Sequence, residues 1–524
     1  MSAERTTNVP VQGSANKWII TITVILASMI ELIDTSIVNV ALPQMMGNLG
    51  ATLDQIAWVV TGYVVANVIV IPMTAFLAAL FGRRNYFAGS IILFTIASFF
   101  CGHATGLWEL VIFRFIQGVG GGAMLSTSQA ILVEAFPPDE LGLANGLFGL
   151  GVVVGPTIGP TLGGWITDSY SWRWIFYVNL PIGIVAALMA MAFIPPPQEV
   201  RKVGTIDWTG IGLLVAGIGS LQIVLERGES EDWFAAGYIR WLTATAVLCI
   251  AAFIWRELST EHPVVDLRVL KDRSLAVGTL FTFILGFGLY GSVFIFPVFA
   301  QNLLGFTAMQ TGLILLPGSL ATAVMMPVVG KLMQRGFPAQ ILNALGFISF
   351  FGFTYLLSHS TLASSKGDFF WPLILRGVGL GLLFVPLTTL ALSGLKGKNI
   401  PQGAAMTNMM RQLGGSFGVA LVATFIQYRS WTHRSRLLDH VSVYDPELRQ
   451  RLAATTSGLV AKGSSLFDAQ RQAYGAIEGA VMRQTFLLTY MDAFRVVGVF
   501  FLFCIPLLLL FKRKAGPAAP VSLH

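Results

Sequence analysis

"RGVGLGLLF" fills residues 376–384, and "QGVGGGAML" fills residues 117–125, its echo much earlier in the chain. A looser pair is "MTAFLAALFGRR" at 73–84 and "MPVVGKLMQRG" at 326–336, in the same order within each half. All four stretches lie in or beside long apolar runs. If both copies cross a membrane in the same direction, they predict two parallel six-helix repeats related by an axis along the membrane normal.

Composition supports a membrane setting. The 524 residues are 55% hydrophobic and 11% charged, with a mean hydropathy of +0.72, whereas soluble domains carry roughly 25% charged residues. The formal charge of +7 calls for no nucleic-acid partner, because the basic residues punctuate apolar spans. Cys101, Cys249 and Cys504 all fall inside such spans, so no disulfide framework is predicted. The first apolar run, from Trp18, is about 25 residues long; a signal peptide has an apolar region of roughly 7 to 15. It is expected to remain as a spanning helix.

A hydrocarbon core of about 30 Å needs about 20 apolar residues as helix. Fourteen spans are predicted: 18–42, 55–80, 86–105, 107–133, 143–167, 174–194, 206–226, 238–256, 274–300, 308–332, 338–358, 369–394, 402–428 and 485–511. An even number puts both termini on one side. With a cytoplasmic N-terminus, the short outer loops hold four basic residues, Arg173, Arg227, Arg240 and Lys366. Seventeen lie on the inner side, from Arg5 and Lys17 through Arg83, Arg84, Arg201 and Lys202 to Lys396, Lys398, Lys512, Arg513 and Lys514. This positive-inside bias fixes the expected orientation, with both termini cytoplasmic. The expected domains are a six-helix bundle over 1–194, a linker with two extra spanning helices over 195–273, and a second bundle over 274–524.

Charged side chains inside the spans are the candidate functional groups, since one at mid-membrane costs about 2.5 to 3.5 kcal/mol on insertion scales and generally faces a partner or a wet cavity. Glu31 and Asp34 lie one turn apart on the first helix. Asp34 is roughly 12 Å below the outer end of its helix and Arg114 roughly 10 Å below that of the fourth, at 1.5 Å per residue, so the two can pair. Either the pair only fixes two helices, or changing access moves Asp34 between proton-loaded and proton-free states. Arg376, at the repeat position of Gln117, either lines a cavity or caps a kink. Arg411 either snorkels or bridges, and Asp492 and Arg495 most simply neutralise each other. Asn39, Tyr63, Asn67, Gln117, Phe296, Arg376 and Arg411 form the candidate substrate cavity, where aromatic surfaces, with Trp58 and Met325, would suit varied apolar ligands.

On the fifth span Gly151, Gly155, Gly159 and Gly163 recur every four residues, a ridge without side chains along which another helix can approach closely. Pro156 and Pro160 each remove a helix hydrogen bond there. The histidines are scattered with no metal spacing, and no G-x-x-x-x-G-K-S/T occurs, which argues against a metalloenzyme and a nucleotide-driven pump.

Three stretches carry a resemblance. "LIDTSIVNVALP" at 32–43, "RFIQGVGGG" at 114–122 and "GVVVGPTIGPTLGGW" at 151–165, supported by "SWRWIFYVNLPIG" at 171–183, resemble the major facilitator superfamily, in particular its fourteen-helix drug:proton antiporter branch of EmrB-like exporters. That resemblance implies an all-α integral membrane fold and proton-coupled export of hydrophobic or amphipathic toxic compounds by alternating access. It implies no cofactor beyond the proton gradient, with Asp34, Glu31 and Arg114 coupling protons. It also implies a gating role at the interface of the halves for Gly151, Gly155, Pro156, Gly159, Pro160, Gly163 and Gly164. A dedicated exporter of one metabolite or siderophore would share this mechanism; a receptor or channel would lack proton coupling. The family's inner loop usually carries an acid where Ala79 stands, so its inner salt bridge is absent or built differently. The polar outer segment 429–484 carries helical spacing and is expected as a projecting helical pair. It would either dock a periplasmic adaptor leading to an outer-membrane channel or act as a lid. Small-molecule substrate and membrane lipid are the other expected partners.

Overall fold

The structure is a computed structural model that describes residues 14–510 except 138–139, 197–205, 396, 398, 440 and 443. Arg5, Arg201, Lys202, Lys396, Lys398, Lys512, Arg513 and Lys514 therefore lie outside the described residues. The rest is helical: α1 (Ser14–Leu49), α2 (Leu53–Ile56), α3 (Trp58–Phe81), α4 (Arg83–His103), α5 (Leu107–Ala135), α6 (Leu141–Ser169), α7 (Trp174–Tyr177), α8 (Asn179–Phe193), α9 (Trp208–Arg227), α10 (Gly237–Ser259), α11 (Arg273–Asn302), α12 (Ala308–Gln334), α13 (Ala339–Leu357), α14 (Phe370–Leu392), α15 (Asn399–Leu438), α16 (Pro446–Ala461) and α17 (Leu466–Leu507). Among the described residues thirteen helices are long and apolar enough to span a bilayer. With α6, whose 29 residues reach about 43 Å at 1.5 Å per residue, they match the fourteen predicted spans.

Glycines mark the repeat in space. A Cβ placed on Gly120 would lie 2.8 Å from the Ser90 carbonyl oxygen of α4, and one on Gly379 would lie 3.1 Å from that of Gly346 in α13. On the other flank, Gly118 abuts the Tyr63 carbonyl of α3 and Gly377 that of Gly318 in α12. Each echoing stretch thus wedges its helix between matching neighbours, α5 between α3 and α4, α14 between α12 and α13. Side-chain-free surfaces permit this approach, which in lipid must be held by van der Waals packing.

The halves meet chiefly along α6 and α12. At the end where α1 begins, the inner end in the expected orientation, a Cβ on Gly142 would lie 3.1 Å from the Gly330 carbonyl oxygen, and one on Gly146 2.9 Å from that of Met326. Nearby, Asn145 Nδ2 donates to Thr389 Oγ1 at 3.2 Å and Asn408 Nδ2 to Gln129 Oε1 at 2.7 Å. The inserted helix α9 lies against α3 of one half and α15 of the other, where Gln222 Nε2 donates to Ser416 Oγ at 2.7 Å. Its inner end is capped by Asp207, which accepts from Gly210 N at 3.0 Å. The Arg256 guanidinium also donates to both Asp207 oxygens, at 3.0 and 3.1 Å.

Three expectations change. The glycine ridge of the fifth span does not face the other half: a Cβ on Gly155 would lie 2.8 Å from Leu32 Cβ, one on Gly159 3.0 Å from the Ile33 carbonyl oxygen, and one on Gly163 3.0 Å from that of Ile37. Gly151 likewise faces Met29 and Ile25, and Gly164 approaches only Val40. The ridge packs on α1 of its own half, and other α6 glycines meet α12. Secondly, the outer helical pair is present, as α16 and the first part of α17, but it is continuous with the spans. Helix α15 runs 40 residues without interruption and α17 runs 42, both past the predicted span borders, with α16 laid against α17. Polar residues continue these helices because, once outside lipid, helical hydrogen bonding no longer requires an apolar surface. Thirdly, Asp492 pairs mainly with α15. Arg429 Nε donates to it at 2.7 Å and His433 Nε2 lies 2.9 Å away, whereas Arg495 stands 3.6 Å off with its side chain 57% exposed.

Two ion pairs stand at the inner face, where Ala79 supplies no acid. Arg83 pairs with Glu134 at the inner end of α5, and Lys17 pairs with Glu140 at 2.7 Å.

Candidate functional site

Asp34 is fully buried. Its Oδ2 accepts from Arg114 Nη1 at 2.5 Å, and its Oδ1 accepts from Gln117 Nε2 at 3.0 Å and Asn179 Nδ2 at 2.8 Å. Arg114 also donates Nε to the Val59 carbonyl at 3.2 Å and Nη1 to Gln117 Oε1 at 2.8 Å. Its guanidinium carbon lies 4.1 Å from the centre of the Tyr63 ring. Asn179 holds Ser98 Oγ at 3.0 Å, and Ser98 donates to the Phe176 carbonyl at 2.9 Å. The knot therefore ties α1, α5 and α8 together and reaches α4. A carboxylate with three donors is satisfied as an anion, and removing one partner of a buried ion pair costs about 3 to 5 kcal/mol.

Glu31, one turn along α1, is bound differently. Its Oε1 accepts from Asn67 Nδ2 at 3.0 Å, and Oε2 is buried without a partner. The Tyr63 hydroxyl beside it is buried and unpartnered too. A Cβ on Gly121 would lie 2.5 Å from that hydroxyl and 3.2 Å from Glu31 Cγ, so the glycine leaves room for both groups. Burying an acid with one idle oxygen is costly for the charged form, which makes this the oxygen best placed to carry a proton.

Arg411 brings in the other half. It is 1% exposed, donates to Asn408, lies 5.5 Å from the centre of the Phe384 ring and leaves Nη1 without a partner. It is within electrostatic range of Glu31 and of Tyr290 on α11. Through Asn408 it connects to Gln129 of α5, so a chain of polar groups crosses from one half to the other beside Glu31.

The cavity candidates divide accordingly. Gln117 belongs to the Asp34 knot, Asn67 to Glu31, and Tyr63 touches both. Arg376 is buried on α14, and its Nε has no partner. Phe296 is not beside these groups. It is fully buried 5.3 Å from Phe369 in an aromatic cluster that Phe299, Tyr490 and Phe494 continue. Asn39 is exposed and makes only a 3.4 Å bond to the Thr35 carbonyl of its own helix. Met325 packs against Gly381, and Trp58 lies 5.9 Å from the Arg227 guanidinium at the outer end. Sequence reading missed Asn179, Ser98, Gln129 and Asn408. All are uncharged polar residues within or at the ends of apolar helices, and the cost argument applied to charges would have flagged the amides as well. No cluster that could hold a metal ion occurs among the described residues.

Residues 24–419 match the family model described as Major Facilitator Superfamily. The chain is 35% identical over 505 residues to the fatty acid resistance protein FarB of Neisseria gonorrhoeae, covering 96% of this chain and 97% of that protein. It is 34% identical over 508 residues to the multidrug export protein EmrB of Escherichia coli strain K12, covering 97% of each. Among solved structures, it superposes on the human organic anion transporter MFSD10 with a TM-score of 0.61 at 13% identity, covering 94% of this chain and 99% of that one. The proton:xylose symporter XylE gives a TM-score of 0.59, also at 13% identity, covering 94% and 96%. The paired bundles, their repeated glycine wedges and these likenesses agree: the chain belongs to the Major Facilitator Superfamily, with close homology to its EmrB and FarB exporters.

Proposed function

We propose that this multi-pass bacterial inner-membrane transporter, which moves small hydrophobic and amphipathic compounds by secondary active transport, is a drug:proton antiporter driven through Glu31 and Asp34. The observation that carries this reading is the contrast between two acids one turn apart. Asp34 is saturated by three donors, while Glu31 keeps an idle oxygen within electrostatic range of Arg411 of the opposite half. Protonating Glu31 weakens its attraction to Arg411, and the polar chain through Asn408 and Gln129 passes that change to the inner contact between the halves. The glycine ridge holds α1 to α6, so a shift of the acids and a shift of the α6–α12 seam occur together. Arg114, Gln117, Asn67 and Tyr63 position the acids, and Arg376 and Arg411 face cargo. The multidrug and fatty acid resistance relatives support apolar and amphipathic cargo.

The three units, 1–194, 195–273 and 274–524, act as bundle, bridge and bundle, with both termini cytoplasmic. The outer arm of α16 and the first turns of α17 presents Phe467, Tyr444 and Tyr474, all well exposed. It is our candidate surface for a periplasmic adaptor that leads to an outer-membrane channel; deleting 440–464 should then abolish adaptor co-purification while leaving transport in vesicles intact.

The deciding experiment measures proton flux in energised inverted vesicles challenged in parallel with lipophilic cations and anions. Glu31→Gln is expected to abolish cargo-evoked proton movement in a protein that still folds and binds ligand, and Asp34→Asn to abolish it too, with a loss of stability of about 3 to 5 kcal/mol. Undiminished proton movement in either variant sinks the assignment.

A further inference from the structure

Arg429 and His433 of α15 and Arg495 of α17 all turn to one acid. Asp492 Oδ2 lies 2.7 Å from Arg429 Nε and 2.9 Å from His433 Nε2, and its Oδ1 lies 3.6 Å from Arg495 Nη1. Among the described residues none of the three pairs with any other acid. The next arginine along α15, Arg434, is matched separately by Glu478 at 2.8 Å. Arginine keeps its charge under ordinary conditions, so two guanidinium groups on one carboxylate leave a positive charge over, and His433 adds to it whenever it is protonated.

The surplus sits at the level of lipid headgroups. Counted from residue 511, the inner border of the last predicted span, Arg495 is about 24 Å and Asp492 about 28 Å along α17, close to the outer edge of a hydrocarbon layer of about 30 Å. Tyr428 and Trp431 of α15, both well exposed, mark the same level, since exposed aromatic rings gather at the membrane–water interface. Arg495 also points away from the bundle. Its side chain is 57% exposed, and it heads a row of exposed residues spaced by four, Val499, Phe503 and Leu507, while Phe494, Val497 and Phe501 of the same helix turn inward and are buried. From Arg495 to Leu507 the row is about 18 Å long, against about 15 Å for one leaflet's share of the hydrocarbon layer. A guanidinium thus stands over an apolar track of one leaflet's depth.

We propose that Arg495 and Arg429 form a phospholipid site at the outer leaflet: the phosphate of an anionic lipid takes up the charge that Asp492 leaves unmatched, and one acyl chain lies along Val499, Phe503 and Leu507. Guanidinium groups bind phosphate oxygens through charge-assisted hydrogen bonds. Arg495, held only loosely at 3.6 Å, can turn to the phosphate while Arg429 keeps Asp492. A zwitterionic lipid brings its own cation to the same place and leaves the surplus uncancelled. The bound lipid ties α15 to α17 at the base of the outer arm. Its leaflet rests on the proposed orientation, with both termini cytoplasmic; the site is independent of proton and cargo chemistry.

The test uses the purified full-length protein and measures retained lipid by native mass spectrometry, comparing phosphatidylglycerol, phosphatidylcholine and diacylglycerol of identical chains on wild type, Arg495→Gln, Arg495→Lys and Arg240→Gln. Arg240, exposed near the outer start of α10, controls for general loss of charge on that side. We expect wild type to hold phosphatidylglycerol about 10-fold more tightly than the other two lipids, Arg495→Gln to lose that preference, Arg495→Lys to keep part of it and Arg240→Gln to keep all of it. Equal retention of the three lipids by wild type overturns the proposal, even if Arg495→Gln fails to fold. So does an undiminished preference in Arg495→Gln, or an equal loss in Arg240→Gln, which reports diffuse surface charge. Displacement of the lipid by an equal concentration of inorganic phosphate overturns it in favour of a small-ion site. In right-side-out vesicles, labelling of Ser435→Cys above wild type by an impermeant thiol reagent added outside supports the outer placement; labelling from the cytoplasmic side alone overturns that placement and the proposed orientation together, whatever the lipid preference.

Discussion

The polar centres of the two halves are built on the same helix arrangement and filled oppositely. In the first, Arg114, Gln117 and Asn179 converge on Asp34, a knot that is neutral and closed. In the second, Arg376 is buried on α14 with its Nε unpartnered, a centre that is charged. On the proposed function the duplicated scaffolds divide labour: proton coupling falls to the first half, where Glu31 lies one turn from a closed ion pair, and cargo to the second. Arg411, through Asn408 and its bond to Gln129, is where the two meet.

The largest expected effect comes from breaking the closed centre. Arg114→Ala leaves Asp34 buried and unpaired, a mirror image of the Arg376 site with the sign reversed. It should destabilise the protein by about 3 to 5 kcal/mol, read as a lower midpoint in thermal unfolding, with loss of proton-coupled transport. Smaller, and more informative, is a matched pair of overpacking changes. Gly159→Leu separates α1 from α6, and Gly418→Leu separates α11 from α15. Each should cost about 1 to 3 kcal/mol. If the division of labour holds, the first impairs proton coupling more than cargo binding and the second does the reverse, as measured by proton flux and ligand affinity on the same preparations. The least effect is expected at the seam: Asn408→Ala removes its bond to Gln129 and should cost about 1 kcal/mol. Cysteine accessibility from the inner side should rise modestly, with both centres intact.

Much of the fold could be read from the residues because lipid imposes one simple rule, that backbone groups be satisfied within helices or closed barrels. Span number and the repeat followed from apolar length and from the "GVG" echo. Asp34, Glu31 and Arg114 were legible for the same reason, since a charge in an apolar run needs a partner and depth suggested which one. What could not be read was direction around a helix. The glycine ridge was visible as a ridge, but its neighbour, α1 in place of the opposite half, depends on how six helices are arranged, and spacing along one helix holds no such information. Phe296 was misjudged for a similar reason: an aromatic residue in an apolar helix looks the same whether it faces a cavity or, as here, Phe369. Asp492 was assigned to its sequence neighbour Arg495, whereas α15, continuing beyond the bilayer, brought Arg429 and His433 closer.

That continuation has a mechanical consequence. A 40-residue helix is about 60 Å long at 1.5 Å per residue, so about 30 Å of α15 is left over once a hydrocarbon layer of about 30 Å is crossed. Fixed rigidly to the second bundle, such a stalk acts as a pointer: a tilt of about 10° at its base swings the tip by about 5 Å over that length. The turnover of the pump is thereby broadcast beyond the membrane surface as motion of a rod.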